Sequence, residues 1–88
     1  MTSRVLVWTS QGWEDYVHWQ TEDRRTLKRI NLLLTDLLRD DPFEGIGKPE
    51  PLKHALAGAW SRRIDETSRL VYTANDHQVI ILQARYHY

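Results

Sequence analysis

The sequence contains no cysteine, which removes disulfides, thiolate metal sites and cysteine nucleophiles together. No apolar run approaches the length needed to cross a bilayer. The opening residues, Met1-Thr-Ser-Arg-Val-Leu-Val-Trp8, lack the hydrophobic stretch of a signal peptide. A cytoplasmic protein with no membrane association is therefore expected. Charge of either sign is not in excess: 12 Lys and Arg balance 12 Asp and Glu, which argues against a general polyanion binder. Walker loops, GxGxxG, nucleophile elbows and EF-hand patterns are missing as well. Proline and glycine are few, three and four, so where they fall carries information.

What is present reads as one globular domain over residues 1–88. Hydrophobic residues make up 41% and charged ones 27%, with four tryptophans, enough for a modest core. All three prolines and two of the glycines lie in Pro42-Phe-Glu-Gly-Ile-Gly-Lys-Pro-Glu-Pro-Leu-Lys-His54. Proline fixes φ and removes a backbone donor, while glycine permits turns that other residues resist. This stretch is then a stiffened loop that carries Lys48, Glu50, Lys53 and His54 with little ordering entropy left to lose. It would serve equally as a rigid connector. Residues 1–44 hold six Lys and Arg against eight Asp and Glu, a charge of −2, and residues 45–88 hold six against four, +2. Three of the four histidines also fall in the second half. Any cationic site is expected after Glu44.

Along the chain, Val5–Trp8 is β-branched and aromatic, a buried strand. Thr9 or Ser10 caps a helix with Trp13, Tyr16 and Val17 on one side. Thr21 is the expected cap of a second helix, roughly 24–40, whose Leu27, Ile30, Leu33, Leu34, Leu37 and Leu38 recur every three or four residues. Pro42 ends it. Beyond the loop the period becomes two. Strands are expected over 59–65, 69–73 and 79–88, joined by turns at Asp65–Ser68 and Asn75–His77. The fold class is α+β, in the order β-α-α-β-β-β, with a helical hairpin packed on one face of a small, twisted, mainly antiparallel sheet.

On the last expected strand, Val79, Ile81, Gln83, Arg85 and His87 share a face, so Arg85 and His87 emerge together at a sheet edge. The preceding strands add Arg62, Arg63 and Arg69. Singly, each of these is most simply a solvated side chain. A carboxylate, an imidazole and several guanidiniums together are the parts for metal-free RNA cleavage. A base takes the 2′-OH proton, cations hold the charge on phosphorus, and an acid protonates the leaving 5′ oxygen. Glu or His could be the base, and His or Tyr the acid. A metal site built from His54, His87 and Glu50 is disfavoured, because no His-x-x-x-His spacing exists. No metal or organic cofactor is expected.

Glu14-Asp15-Tyr16, Gly47-Lys-Pro-Glu-Pro-Leu-Lys-His54, Trp60-Ser-Arg-Arg-Ile64, Arg69-Leu-Val-Tyr72 and Arg85-Tyr-His-Tyr88 closely resemble the YoeB toxins, a branch of the RelE superfamily, essentially end to end. The resemblance implies a RelE-like fold and an endoribonuclease that cuts mRNA in the ribosomal A site. It implies Glu50 as general base, His87 as general acid, Arg69 as stabiliser of the phosphate and Tyr88 as the terminal tyrosine shaping the site. Lys53, His54 and Arg63 match positions that hold RNA, and Lys48, Arg62 and Arg85 join them as neighbouring cations. Products would be a 2′,3′-cyclic phosphate, or the 3′-phosphate it hydrolyses to, and a 5′-hydroxyl end. Implied partners are a YefM-like antitoxin, the 70S ribosome with its mRNA, and a second copy in a homodimer. Ala59 departs from the family, where an aromatic is common before Trp60. The alternative is a non-catalytic member that binds ribosome or antitoxin without cutting RNA.

Overall fold

The computed structural model describes residues 4–39 and 41–87. The order is β1 (Val5–Trp8), α1 (Ser10–Glu22), α2 (Arg24–Arg39), β2 (Glu50–Pro51), a 3-10 turn at His54–Leu56, β3 (Trp60–Arg63), β4 (Arg69–Ala74) and β5 (Gln78–Gln83). The strands form one sheet in the order β1-β5-β4-β3-β2. Only the β1–β5 pair is parallel; the other three are antiparallel.

Both helices lie on one face. The apolar stripe of α2, Ile30, Leu33, Leu34 and Leu37, packs on Leu70, Tyr72, Val79, Ile81 and Ala84 to make the main core. Thr9 caps α1, accepting the Gly12 N–H at 3.1 Å, and its own hydroxyl donates to the Ile81 carbonyl at 2.7 Å. The start of α1 thereby rests on β5. Gly12 is required there, since a Cβ would come within 2.6 Å of the Ile81 carbonyl oxygen. Trp8, Trp13 and Tyr16 pack as an aromatic group at centroid separations of 4.9 to 5.9 Å.

The cap of α2 is Asp23, not Thr21. The Asp23 carboxylate accepts the N–H groups of Arg25 (3.0 Å) and Thr26 (3.3 Å) and the Thr26 hydroxyl (2.9 Å). The Thr26 hydroxyl, then its amide, hold this carboxyl below its ordinary value of 3.8. Thr21 instead donates to the His18 carbonyl within α1.

Two differences from the expected strands bear on the site. The proline-rich stretch contributes a strand of its own, β2, at the sheet edge, where the missing N–H of Pro51 is tolerated. The last strand stops at Gln83 instead of running to Tyr88. The cause is α1. Asp15, buried, accepts the Ala84 N–H at 3.0 Å, and the Trp19 indole donates to the Ala84 carbonyl at 2.7 Å. With both backbone polar groups of Ala84 held by side chains, that residue cannot join a ladder. Moreover β5 is interior, between β1 and β4, so the residues after it do not line an edge.

Candidate active site on the helix-free face

Cross-strand register builds the second face of the sheet. Glu50 lies opposite Ser61 and Ser61 opposite Val71, so these three side chains form one transverse row, and an irregularity beside Val71 breaks the register with β5 there. Period-two alternation puts that row on the face away from the helices, because Leu70 and Tyr72 point into the helix-packed core. Leu52, Ala59 and Val71 form a small separate apolar floor, with Leu82 against it. Two residues along, Arg63 and Arg69 stand directly opposite each other on the same face. The sheet therefore sets a carboxylate one row away from two guanidiniums over a dry floor.

Arg62 is not part of this surface. Its expected place with the RNA-holding cations is corrected by complete burial on the helix side. There its guanidinium pairs with the Asp36 carboxylate of α2 and donates to the carbonyls of Pro42 (3.1 Å), Glu44 (2.7 Å) and Ile46 (3.1 Å). Its Nε donates to the Tyr72 hydroxyl, which in turn donates to the Pro42 carbonyl at 2.7 Å. Burial pushes the Tyr72 phenol up, against the opposing pull of Arg62, so it keeps the proton it donates. One side chain thus gathers three carbonyls of the loop that leads into β2. Arg62 is the fastening of the loop, and its neighbour Arg63 is the one that faces solvent.

The loop then delivers its charged residues. Gly47, at φ +84°, lies close enough to the Arg62 Cβ and to Leu33 that a side chain has no room. Its carbonyl accepts the Arg63 N–H at 2.7 Å, which ties the loop to the end of β3. Lys48 (φ 50°) and His54 (φ 59°) both sit in the left-handed region and are exposed. Such conformations are disfavoured for residues with a Cβ and persist only where surrounding structure enforces them. Lys53, also exposed, precedes the 3-10 turn. Lys48, Glu50, Lys53 and His54 therefore flank β2 in the order the sequence reading expects.

The tail reaches the same region by a different route from the expected strand. After the clamped Ala84 peptide, Gln83 Nε2 donates to the Arg85 carbonyl, and Tyr86 turns at φ 66°. The Tyr86 carbonyl accepts the Arg69 N–H at 3.0 Å, so the tail folds back onto the first residue of β4. His87 follows immediately and is exposed. Arg85 stacks on the Tyr86 ring, its guanidinium 4.4 Å from the ring centroid. Tyr88 lies outside the described residues. The Arg69 guanidinium donates to the carbonyls of Asp65 (2.6 Å) and Ser68 (3.1 Å) in the β3–β4 turn. Among the described residues no group of three or more His, Asp or Glu is placed to hold a metal ion.

Asp15 and Trp19 were not singled out as site-building residues by the sequence, yet they decide where the tail leaves the sheet. The signal was the Glu14-Asp15-Tyr16 stretch, an acidic residue on the side of α1 that carries buried Gly12.

Comparison with known proteins is consistent from end to end. The family model described as the YoeB-like toxin of bacterial type II toxin–antitoxin systems matches residues 8–88. The chain is 63% identical over 83 residues to the toxin YoeB of Streptomyces coelicolor, covering 94% of this chain and 98% of that protein. A solved YoeB dimer from Staphylococcus aureus superposes with a TM-score of 0.90 at 42% identity, over 99% of this chain and 100% of that one. A heterotetrameric YoeB–YefM complex from the same organism gives 0.88 at 42% identity, with the same coverage.

Proposed function

The chain belongs to the YoeB-like toxins of bacterial type II toxin–antitoxin systems, and from that premise we propose that its helix-free face is the active site of a ribosome-dependent, metal-free endoribonuclease acting on mRNA. Glu50 takes the proton from a ribose 2′-OH, and the freed oxygen attacks the adjacent phosphorus. Arg69 leaves its turn carbonyls to hold the charge that builds on the phosphate. His87 gives a proton to the departing 5′ oxygen, and Tyr88 shapes the site around the reacting nucleotide. The bond from phosphorus to the 5′ oxygen breaks as the 2′,3′-cyclic phosphate forms, leaving a 5′-hydroxyl. Lys48, Lys53, His54, Arg63 and Arg85 hold the RNA backbone and base. Arg62 has no such role here.

The observation that carries this reading is the juxtaposition of Glu50 with Arg63 and Arg69 on one face, with the tail that bears His87 tied to the Arg69 backbone. By the same membership we assign a YefM-like antitoxin as the neutralising partner, the 70S ribosome as the context of cleavage and a homodimer as the resting state. The site of action is the cytoplasm, and residues 1–88 act as one toxin domain.

Primer extension on a defined mRNA in a reconstituted translation reaction tests the proposal. The protein is expected to leave discrete 5′-hydroxyl ends within A-site codons, and Glu50→Ala to reduce them by at least about a hundredfold. Inhibited translation with no new ends from the unaltered protein would replace the ribonuclease by a non-catalytic ribosome binder.

A further inference from the structure

The cations of the molecule are not confined to the second half of the chain. Four of the six in residues 1–44 fall within six residues, Arg24, Arg25, Lys28 and Arg29, with no carboxylate among them. They occupy the first turns of α2, whose first turn carries no acidic residue. That end of a helix is electropositive, so cations are locally unfavourable there, and Arg25 and Arg29 repel each other at a four-residue spacing.

Arg29 leads to the candidate site. Its guanidinium donates to the Arg63 carbonyl at 3.2 Å, across the end of the β3–β4 hairpin. There a pocket of about 450 Å³ is lined by Arg29, Arg63, Ile64, Asp65, Glu66 and Arg69. Three arginines line it, and two of them, Arg63 and Arg69, stand directly opposite each other across the strands, where like charges are destabilising. The acidic lining offsets them incompletely. The Asp65 carboxylate is turned into its own turn, accepting the N–H groups of Thr67 (2.8 Å) and Ser68 (2.7 Å), which leaves Glu66 as the carboxylate not engaged in that turn. Arg29 from the helix and the opposed Arg63–Arg69 pair from the sheet thus line one cavity.

We propose that this pocket is a second phosphate subsite, which seats the phosphodiester next to the scissile one in the bound RNA strand, and that Arg29 is its helix-borne ligand. The assignment rests on the ribonuclease reading above and extends it. Arg63 and Arg69 are shared between the two phosphates, Arg69 toward the reacting one and Arg63 toward its neighbour. Arg29 closes the second from the helical side. An anion there relieves the Arg63–Arg69 repulsion and receives charge-assisted hydrogen bonds from three planar donors.

Binding is measured with 70S ribosomes programmed with mRNA whose A-site codon is 2′-deoxy, so that affinity is read without cleavage. The same ribosomes with mRNA truncated after the P-site codon serve as the comparison. Arg29→Gln is expected to weaken binding about tenfold on the full mRNA, as loss of one charged hydrogen-bonding group does. It should also lower the slope of log affinity against log salt by about 0.7, the value for one single-strand phosphate contact. Arg29→Lys should restore most of that slope, which a fold defect would not permit. On truncated mRNA the variant and the parent should bind alike. Unchanged affinity on the full mRNA would overturn the subsite. Equal loss on both templates would overturn it too, by moving the contact to ribosomal RNA. Cleavage of an all-ribose mRNA is scored separately, so absence of cuts by the parent protein refutes the ribonuclease reading without touching the binding result.

Discussion

At the scale of residues, the adjacent pair Arg62 and Arg63 shows how far alternation alone can reach. The sequence placed them on opposite faces, with Arg62 beside Trp60 and Ile64, and that alternation is what the sheet has. What it did not show was which face the helices cover, or that a loop would arrive with three carbonyls for a buried guanidinium to collect. Arg62 therefore read as one more surface cation. Its burial makes a definite expectation. Arg62→Met would take the ion-pair partner from Asp36 and the guanidinium from the carbonyls of Glu44 and Ile46, leaving Pro42 only the Tyr72 hydroxyl, and should cost about 3 kcal/mol in urea unfolding. Arg63→Met, on the open face, should change the same measurement by no more than about 0.5 kcal/mol. The contrast between neighbours is the test. Glu50, Lys53, His54 and Arg69 needed no such environment to be picked out, because motif and chemistry agreed on them. The role proposed for Tyr88 comes from resemblance alone.

At the scale of elements, α2 was the most readable part of the chain, because six apolar residues repeat at helical spacing. Its start at residue 24 is as expected, but its cap is Asp23 and not Thr21, since both are good caps and only the chain path between the helices chooses. Asp23 has a consequence with pH. Its carboxyl is lowered in the folded protein, so its support for α2 is fully present above 3.8 and fades as the pH falls through the folded value. In thermal melts followed by circular dichroism, the unaltered protein should exceed Asp23→Asn near neutral pH, and the two should converge as the pH drops below about 4. A gap that persisted in acid would mean that the capping charge is not its source. The premature end of β5 could not be seen from its own residues. Val79 to Tyr88 alternates without interruption, and the break is imposed from 65 residues away, by Asp15 and Trp19 on the Ala84 peptide. β2 was hidden for the opposite reason: it is two residues long, too short to show a period, and Pro49 and Pro51 bracket Glu50.

At the scale of the whole molecule, the layered α+β design and the antiparallel meander follow from the order of periods in the sequence. The parallel contact between the first strand and the last does not, because no local signal spans 73 positions from Val5 to Gln78. The shared core carries contributions from α2, β4, β5 and the segment after it, so helices and sheet should lose structure together. Far-ultraviolet circular dichroism and tryptophan fluorescence are expected to trace one coincident urea transition, with Trp8, Trp13 and Trp19 reporting the β1–α1 end and Trp60 the other. Two separated midpoints would divide residues 1–88 into independent units.

The position of β5 also sets the timing of the fold during synthesis. It is the last strand to leave the ribosome, yet it lies between β1 and β4, and α1 rests on it through Thr9 and Gly12. Until residues 78–83 have emerged, β1 has no partner and the core lacks its central wall. Pairing over so long a separation is slow to nucleate. A nascent chain can assemble β3 with β4, but not the site that the returning tail completes at Arg69. The helix-free face, with the tail bound at Arg69, is in this way finished only after β5 has been made.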